Sequence, residues 1–221
     1  MMRRSSAILI ATFCALGLRV PAYAQGFKFS NPTEDEKNEA AAQQDKQARV
    51  DWQLSTPCRA KIKNRKIMVL VGEERNGLVF APQASFTRHV EAINSRLQAL
   101  GLKTYSAEQI RKQVAQEEVD AYFKNDPDRA LSAAKRLSAQ YVLKGVIATQ
   151  AFHNQMVNVN QVNVALDFTL ADAAGRTVST AHASNASYAG ADVSGMALKL
   201  IEERADEVVA QLYSDYCGKA R

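Results

Sequence analysis

Histidine and cysteine are scarce in this chain, three of each in 221 residues. His89, His153 and His182 never fall at the H-x-x-x-H spacing that puts two ligands on one helix face, so no metal site is predicted. A glycine-rich phosphate loop is missing as well. Gly72-Glu73-Glu74-Arg75-Asn76-Gly77 follows an apolar run but lacks the G-x-x-x-x-G-K-[ST] pattern. The G-x-S-x-G elbow of a serine hydrolase is absent, and the nearest string, Asp192-Val193-Ser194-Gly195, reads as a helix start. Glu73/Glu74 and Glu117/Glu118 are adjacent only in sequence, whereas acid–base catalysis needs carboxylates that converge in space. The expectation is a protein with no catalytic residue, no cofactor and no metal, and not an enzyme. There are no internal repeats, and nothing past the first 25 residues is apolar for long enough to span a bilayer.

What is present begins with an export signal. MMRRSSAILIATFCALGLRVPAYAQ has a basic start (Arg3, Arg4), an apolar middle (Ala7 to Leu18) and a small-x-small cleavage site, Ala22-Tyr23-Ala24. A cleavable signal over residues 1–24 places the remainder in the periplasm. Those residues hold three of the 28 basic side chains and none of the 23 acidic ones, so their removal lowers the formal charge from +5 to +2. The concentrated basic character that a nucleic-acid partner would require is thereby weakened, and no such partner is predicted. Cys14 is preceded by Thr12-Phe13, where a lipoprotein signal wants small residues, so no lipid anchor is expected. That leaves Cys58 and Cys217, an even pair in an oxidising compartment, and predicts a disulfide between them. Such a bridge would tie the two ends of the domain, stabilising it by up to about 5 kcal/mol from chain entropy.

Residues 25–57 are polar, and they read as a partly helical or disordered leader, a linker or a binding arm. Trp52 is expected to pack on the domain that follows, a single globular unit over 58–221. Ile67-Met68-Val69-Leu70-Val71 reads as a strand covered on both faces. Gly72 to Pro82 reads as a loop. Phe86, Val90, Ile93, Leu97 and Leu100 step by three and four and end at Gly101, a helix with its C-terminal cap. Leu102 to Tyr105 is a short strand. Ser106-Ala107-Glu108-Gln109 opens a helix carrying Ile110, Val114 and Tyr122, and Asn125-Asp126-Pro127 starts another carrying Ala130, Leu131, Ala134 and Leu137. Tyr141 to Ala148 is a strand. Val162, Val164, Leu166, Phe168 and Leu170 then alternate with polar residues, while Val157 and Val159 have the other parity, which predicts a bulge or turn near Asn160-Gln161. Asp172-Ala173-Ala174-Gly175 is a hairpin turn, Arg176 to Tyr188 a strand of small residues, and Asp192 to about Tyr216 the last helix. The fold class is α/β (α+β), a mixed sheet of about five strands flanked by helices in the order β-α-β-α-α-β-β-β-α.

The stretch Ala133-Ala134-Lys135-Arg136-Leu137-Ser138-Ala139-Gln140-Tyr141-Val142-Leu143-Lys144-Gly145 resembles the A-x-x-L-x-A-x-Y-V-L-x-G helix–strand junction of a group of bacterial envelope proteins. The group comprises the TolB N-terminal domain, the curli secretion channel subunit, the flagellar assembly protein T middle domain and lipoprotein activators of penicillin-binding proteins. Asp172-Ala173-Ala174-Gly175-Arg176-Thr177-Val178 is similar to the D-x-x-G-x-x-V turn that precedes their long final helix. The resemblance spans roughly residues 66–215 and implies the fold and the envelope compartment. This chain lacks the long strand inserts of the channel subunits and the lipid-bearing cysteine of the activators.

A candidate site follows from the position of Gly72–Pro82 after a parallel strand, since ligands collect at the carboxyl ends of such strands. Glu73, Glu74, Arg75, Asn76 and Phe80 are the candidate partner- or ligand-binding residues, with Leu78 and Val79 beside Phe80 as an apolar lip. The alternative is a solvated loop with Phe80 tucked onto the core. The series Asn154-Gln155, Asn158, Asn160-Gln161 and Asn163 is either a sheet edge offered to a partner strand or the wet face of a hairpin. The expected function is non-enzymatic binding or assembly in the envelope through protein–protein contacts. The partner is an envelope protein or a second copy of the chain, and the alternative functions are an oligomeric component of a secretion or flagellar assembly or, behind it, an enzyme with an unrecognised site.

Overall fold

The computed structural model describes residues 33–124, 126, 132, 134–156, 159–187 and 193–219. In chain order the elements are α1 (Glu34–Leu54), α2 (Arg59–Ile62), β1 (Lys66–Arg75), β2 (Leu78–Phe80), α3 (Thr87–Ala99) and β3 (Lys103–Thr104). Then come α4 (Ala107–Gln113), α5 (Gln116–Phe123), β4 (Tyr141–Asn154), β5 (Val159–Asp172), β6 (Thr177–Ser187) and α6 (Val193–Lys219). The export signal, the helix start expected at Asn125 and Pro127 with Ala130 and Leu131, and the readings at Val157, Tyr188 and Asp192 lie outside the described residues.

The unbroken apolar run of β1 reflects its place between two cores. Ile67, Val69 and Val71 face one side with α3 and α6, and Met68 and Leu70 face the other with α4 and α5. The sheet is mixed: β4 runs parallel to β1, and β4, β5 and β6 form an antiparallel meander. On its other edge β1 takes β3 in parallel at Lys66 and Ile67 and β2 antiparallel at Glu73 to Arg75. Between those two contacts Gln83 stands in for a strand. Its buried amide accepts from Val71 N at 3.2 Å and donates to Val71 O and Ala81 O at 2.8 Å. A main-chain gap in a buried edge is thus closed by a side chain. Past β4, among the described residues, α6 is the helix that packs on β5 and β6, while Asp167 and His182 pair in the open, 2.8 Å apart.

The predicted helical stripe of α3 is buried at Phe86, Val90, Ile93, Leu97 and Leu100, and Gly101 follows at φ +95°. Ser106 and Gln109 form the expected capping box. Gly145, the last residue of the envelope-like junction, has a packing reason. It pairs in register with Phe168, and a Cβ on it would come within 2.7 Å of that ring. Ser138 of the same junction sits at φ +53°, and Tyr105 Oη donates to the carbonyl of Leu137. At the Asp172 turn one carboxylate oxygen accepts from Ala174 N and Arg176 N, while Gly175 takes φ +78°.

The disulfide joins Cys58 to Cys217 with Cα atoms 5.7 Å apart, across a sequence separation of 159. Both cysteines are buried beside Tyr213, whose hydroxyl accepts from Cys58 N. Residues 40–221 form one compact unit. Within it, the second half of α1 lies along α6, where Lys46 pairs with Glu207 at 2.9 Å and Gln53 donates to Gln211 at 2.7 Å.

Four expectations change. Gly72–Pro82 is not a loop: β1 continues to Arg75 and β2 returns along it. The helix expected from Ser106 through Tyr122 is two helices, because Val114 is extended and Ala115 N donates to Glu118 Oε2 at 3.1 Å, a new N-terminal cap. No register shift occurs near Asn160-Gln161, where β4 and β5 pair without a break from Tyr141↔Asp172 to Asn154↔Val159. Parity is enforced only where a face is buried, and Thr149, Gln150 and His153 at that end are not buried. The irregularity falls at Leu170/Ala171 against β6 instead. Trp52 does not pack on the domain. It is 71% exposed, and its neighbours Val50 and Gln53 are the buried residues.

Candidate functional site

Residues 76–77 create the site. Asn76 and Gly77 both take positive φ, 52° and 77°, the two-residue turn whose twist matches paired strands. The resulting register sets Glu73 opposite Phe80, Glu74 opposite Val79 and Arg75 opposite Leu78. Directly opposed residues share a face, so Glu73, Arg75, Leu78 and Phe80 lie on one side and Glu74 and Val79 on the other. Val79 is the residue that turns inward. A Cβ on Gly72 would meet its Cγ1 at 2.8 Å and Phe123 Cε1 at 3.0 Å, so the hairpin closes onto α5 only because residue 72 has no side chain. Phe80 does not tuck onto the core: it is 50% exposed, and Leu78 61%.

Beneath the hairpin runs an open groove of about 710 Å³. Leu78, Phe80, Pro82, Phe86 and Phe123 line it, with Asp120 and Lys124 along its α5 side. Gln116 fixes α5 there, its amide donating to Ala81 O at 2.9 Å and Asp120 Oδ1 at 2.8 Å. The Arg75 guanidinium donates to Glu73 Oε2 at 2.6 Å, and this bond and the carboxylate's charge favour the protonated arginine. The two charges therefore satisfy each other, leaving the apolar pair as the groove's unspent feature.

The five candidate residues thus divide. Glu73, Arg75 and Phe80 come together at the groove, Glu74 projects from the opposite face, and Asn76 serves the turn through its backbone. The α5 residues Gln116, Asp120, Phe123 and Lys124 were not legible, because their nearness to the hairpin depends on tertiary packing. The Asn76-Gly77 dipeptide was the missed local signal. Of the Asn/Gln series, Gln155 is exposed, and Asn163 lies within the β4–β5 ribbon, paired with Gln150.

Elsewhere, Lys144 Nζ lies 5.6 Å from the centre of the Tyr122 ring. Burial pushes the lysine's pKa down and the phenol's up to about 12. His89 is buried edge-on to Phe86, 5.5 Å between ring centres. Among the described residues no three His, Cys, Asp or Glu side chains are grouped to hold a metal ion, and no helix is long and apolar enough to cross a membrane.

No protein-family model matches the chain, and no curated protein matches it. Solved structures with a similar outline include a PelC dodecamer from Paraburkholderia phytofirmans, at 16% identity over 67% of this chain and 88% of that one, TM-score 0.40. A lipoprotein of Neisseria meningitidis is 13% identical over 65% and 96%, TM-score 0.44. The LpoB C-terminal domain from Salmonella enterica is 19% identical over 61% and 98%, TM-score 0.37. None of these three is TolB, the curli subunit or flagellar assembly protein T. At such identities and scores, the likenesses assign neither family nor activity.

Proposed function

We propose that the chain is an exported, non-enzymatic protein of the bacterial cell envelope that holds a protein partner with the β1–β2 hairpin. The observation that carries this reading is the pair Leu78 and Phe80, exposed over a groove lined by Phe86 and Phe123. Large apolar side chains presented at a concave surface are typical of the buried centre of a protein interface. The fit is to an apolar side chain of the partner, inserted beneath the hairpin between Asp120 and Lys124 on one side and the Glu73–Arg75 pair on the other. The export leader and the Cys58–Cys217 bridge support an oxidising compartment.

A photo-crosslinking residue at position 78 in living cells should capture a distinct envelope protein, while one at exposed Glu91 on α3 should not. Leu78→Ser with Phe80→Ser should cut capture at least tenfold with the melting temperature unchanged. Capture that survives the double substitution, or crosslinks only between copies of this chain, would overturn the reading.

A further inference from the structure

The end of the sheet opposite the hairpin is basic. Arg59, Lys61, Lys63, Arg65 and Lys66 fall within eight residues, and no acid stands between Asp51 and Glu73. The fold adds a sixth cation: Lys103 pairs in register with Lys66, and its N–H donates to Arg65 O at 2.8 Å. Asn64, at φ +64°, reverses the chain between α2 and β1, so Lys61, Lys63 and Arg65 border one open depression with Gln140 and Tyr216. Arg59, Lys61, Lys63, Arg65 and Lys103 are all exposed. Among the described residues, Arg59, Lys63, Lys66 and Lys103 make no ion pair. Crowded like charges repel in the free protein, and a negatively charged partner relieves them.

The geometry narrows that partner. One small anion would call for enclosed, converging donors, whereas these cations stand on an open surface and match an extended array of negative charge. Exposed Trp52 precedes Arg59 by seven residues. It lies in the last turns of α1, and the connection from there to α2 is pinned by Tyr213, whose hydroxyl donates to Thr56 O and accepts from Cys58 N. Tryptophan together with lysines and arginines is the combination that settles at the headgroup level of a bilayer. We infer that this end of the domain docks on an anionic phospholipid surface. Headgroup phosphates lie over the Lys61–Arg65 depression and Trp52 enters the interface, leaving the hairpin facing away. This inference does not depend on the hairpin's partner.

Vesicle flotation tests it, using the chain as recovered from an exporting bacterial host. Vesicles of phosphatidylethanolamine with phosphatidylglycerol should carry the protein at low salt and release it at high salt, while phosphatidylcholine vesicles should not carry it. Lys63→Gln, Arg65→Gln and Lys103→Gln together should weaken binding roughly a hundredfold, about fivefold for each charge. Trp52→Ser should weaken vesicle binding while leaving retention on heparin unchanged. Near-ultraviolet circular dichroism reports whether the variants fold, and salt release of the unmodified chain tests the charge independently of them. Equal binding to both vesicle types, a triple variant that binds like the parent, or binding to heparin without anionic vesicles would each overturn the inference. The last outcome would assign the patch to a soluble polyanion.

Discussion

Where β1 begins, the sheet is closed by covalent and hydrogen-bonded ties: the Cys58–Cys217 bridge, the Tyr213 hydroxyl, and Tyr141 donating to Tyr216 at 3.0 Å. Where β1 ends, a three-residue strand is held by one turn and by Val79 packing against Phe123. The first end is tied down and basic, the second lightly held and apolar. A stapled end suits a charged surface, because ordering its side chains costs no further backbone freedom. A lightly held end suits a partner whose shape must be accommodated, since the elements that move on binding come from the less stable parts of a fold.

The largest expected effect breaks the stapled end. Cys58→Ser with Cys217→Ser should lower the unfolding free energy by about 2–5 kcal/mol, read from urea denaturation. Amide exchange should rise first along α2 and the last turn of α6, and exchange that rises first at the hairpin instead would contradict the contrast. A smaller effect separates the two ends by glycine. Gly145→Ala, in the meander, drives a methyl group into Phe168 and should cost about 1–3 kcal/mol of global stability. Gly72→Ala meets Val79, Phe123 and Ala81 and should act locally, speeding amide exchange in 73–80 more than elsewhere.

The smallest effect concerns pH. Burial opposes ionisation of Glu207, but the hydrogen bonds and charges of Lys46 and Arg204 outweigh it and hold its carboxyl below the usual range. A carboxylate depressed in the folded state contributes stability above its unfolded pKa and loses it as pH falls through the folded one. Glu207→Gln should therefore cost about 0.5 kcal/mol near neutrality, the order of a surface pair, and nothing at acid pH below the folded value.

Much of the fold was legible because burial writes itself into spacing. The covered run Ile67–Val71, the three-and-four stepping of α3, the alternation Val164–Leu170 and the Asp172–Gly175 turn all reached their expected places. Misreadings fell where a local signal competed with a compositional one. The charged Glu73–Asn76 stretch suggested a loop, yet it continues β1 because Asn76-Gly77 supplies the turn. The parity change at Val159 suggested a bulge, yet that end of the ribbon has surface side chains that leave its register unforced.

The even count of cysteines beyond the leader, the unbroken apolar run of β1 and the crowding of cations from Arg59 to Lys66 were decided by sequence alone, since each depends on the identity or order of residues along the chain. Tertiary structure decided the rest: Gln83 filling a gap in an edge, Lys103 joining the basic end, and α5 lining the groove beneath Leu78 and Phe80. Those contacts join segments dozens of residues apart or turn on the rotamer of one buried amide. Nothing in the order of residues along a chain fixes such a meeting until the cores on both faces of the sheet have formed.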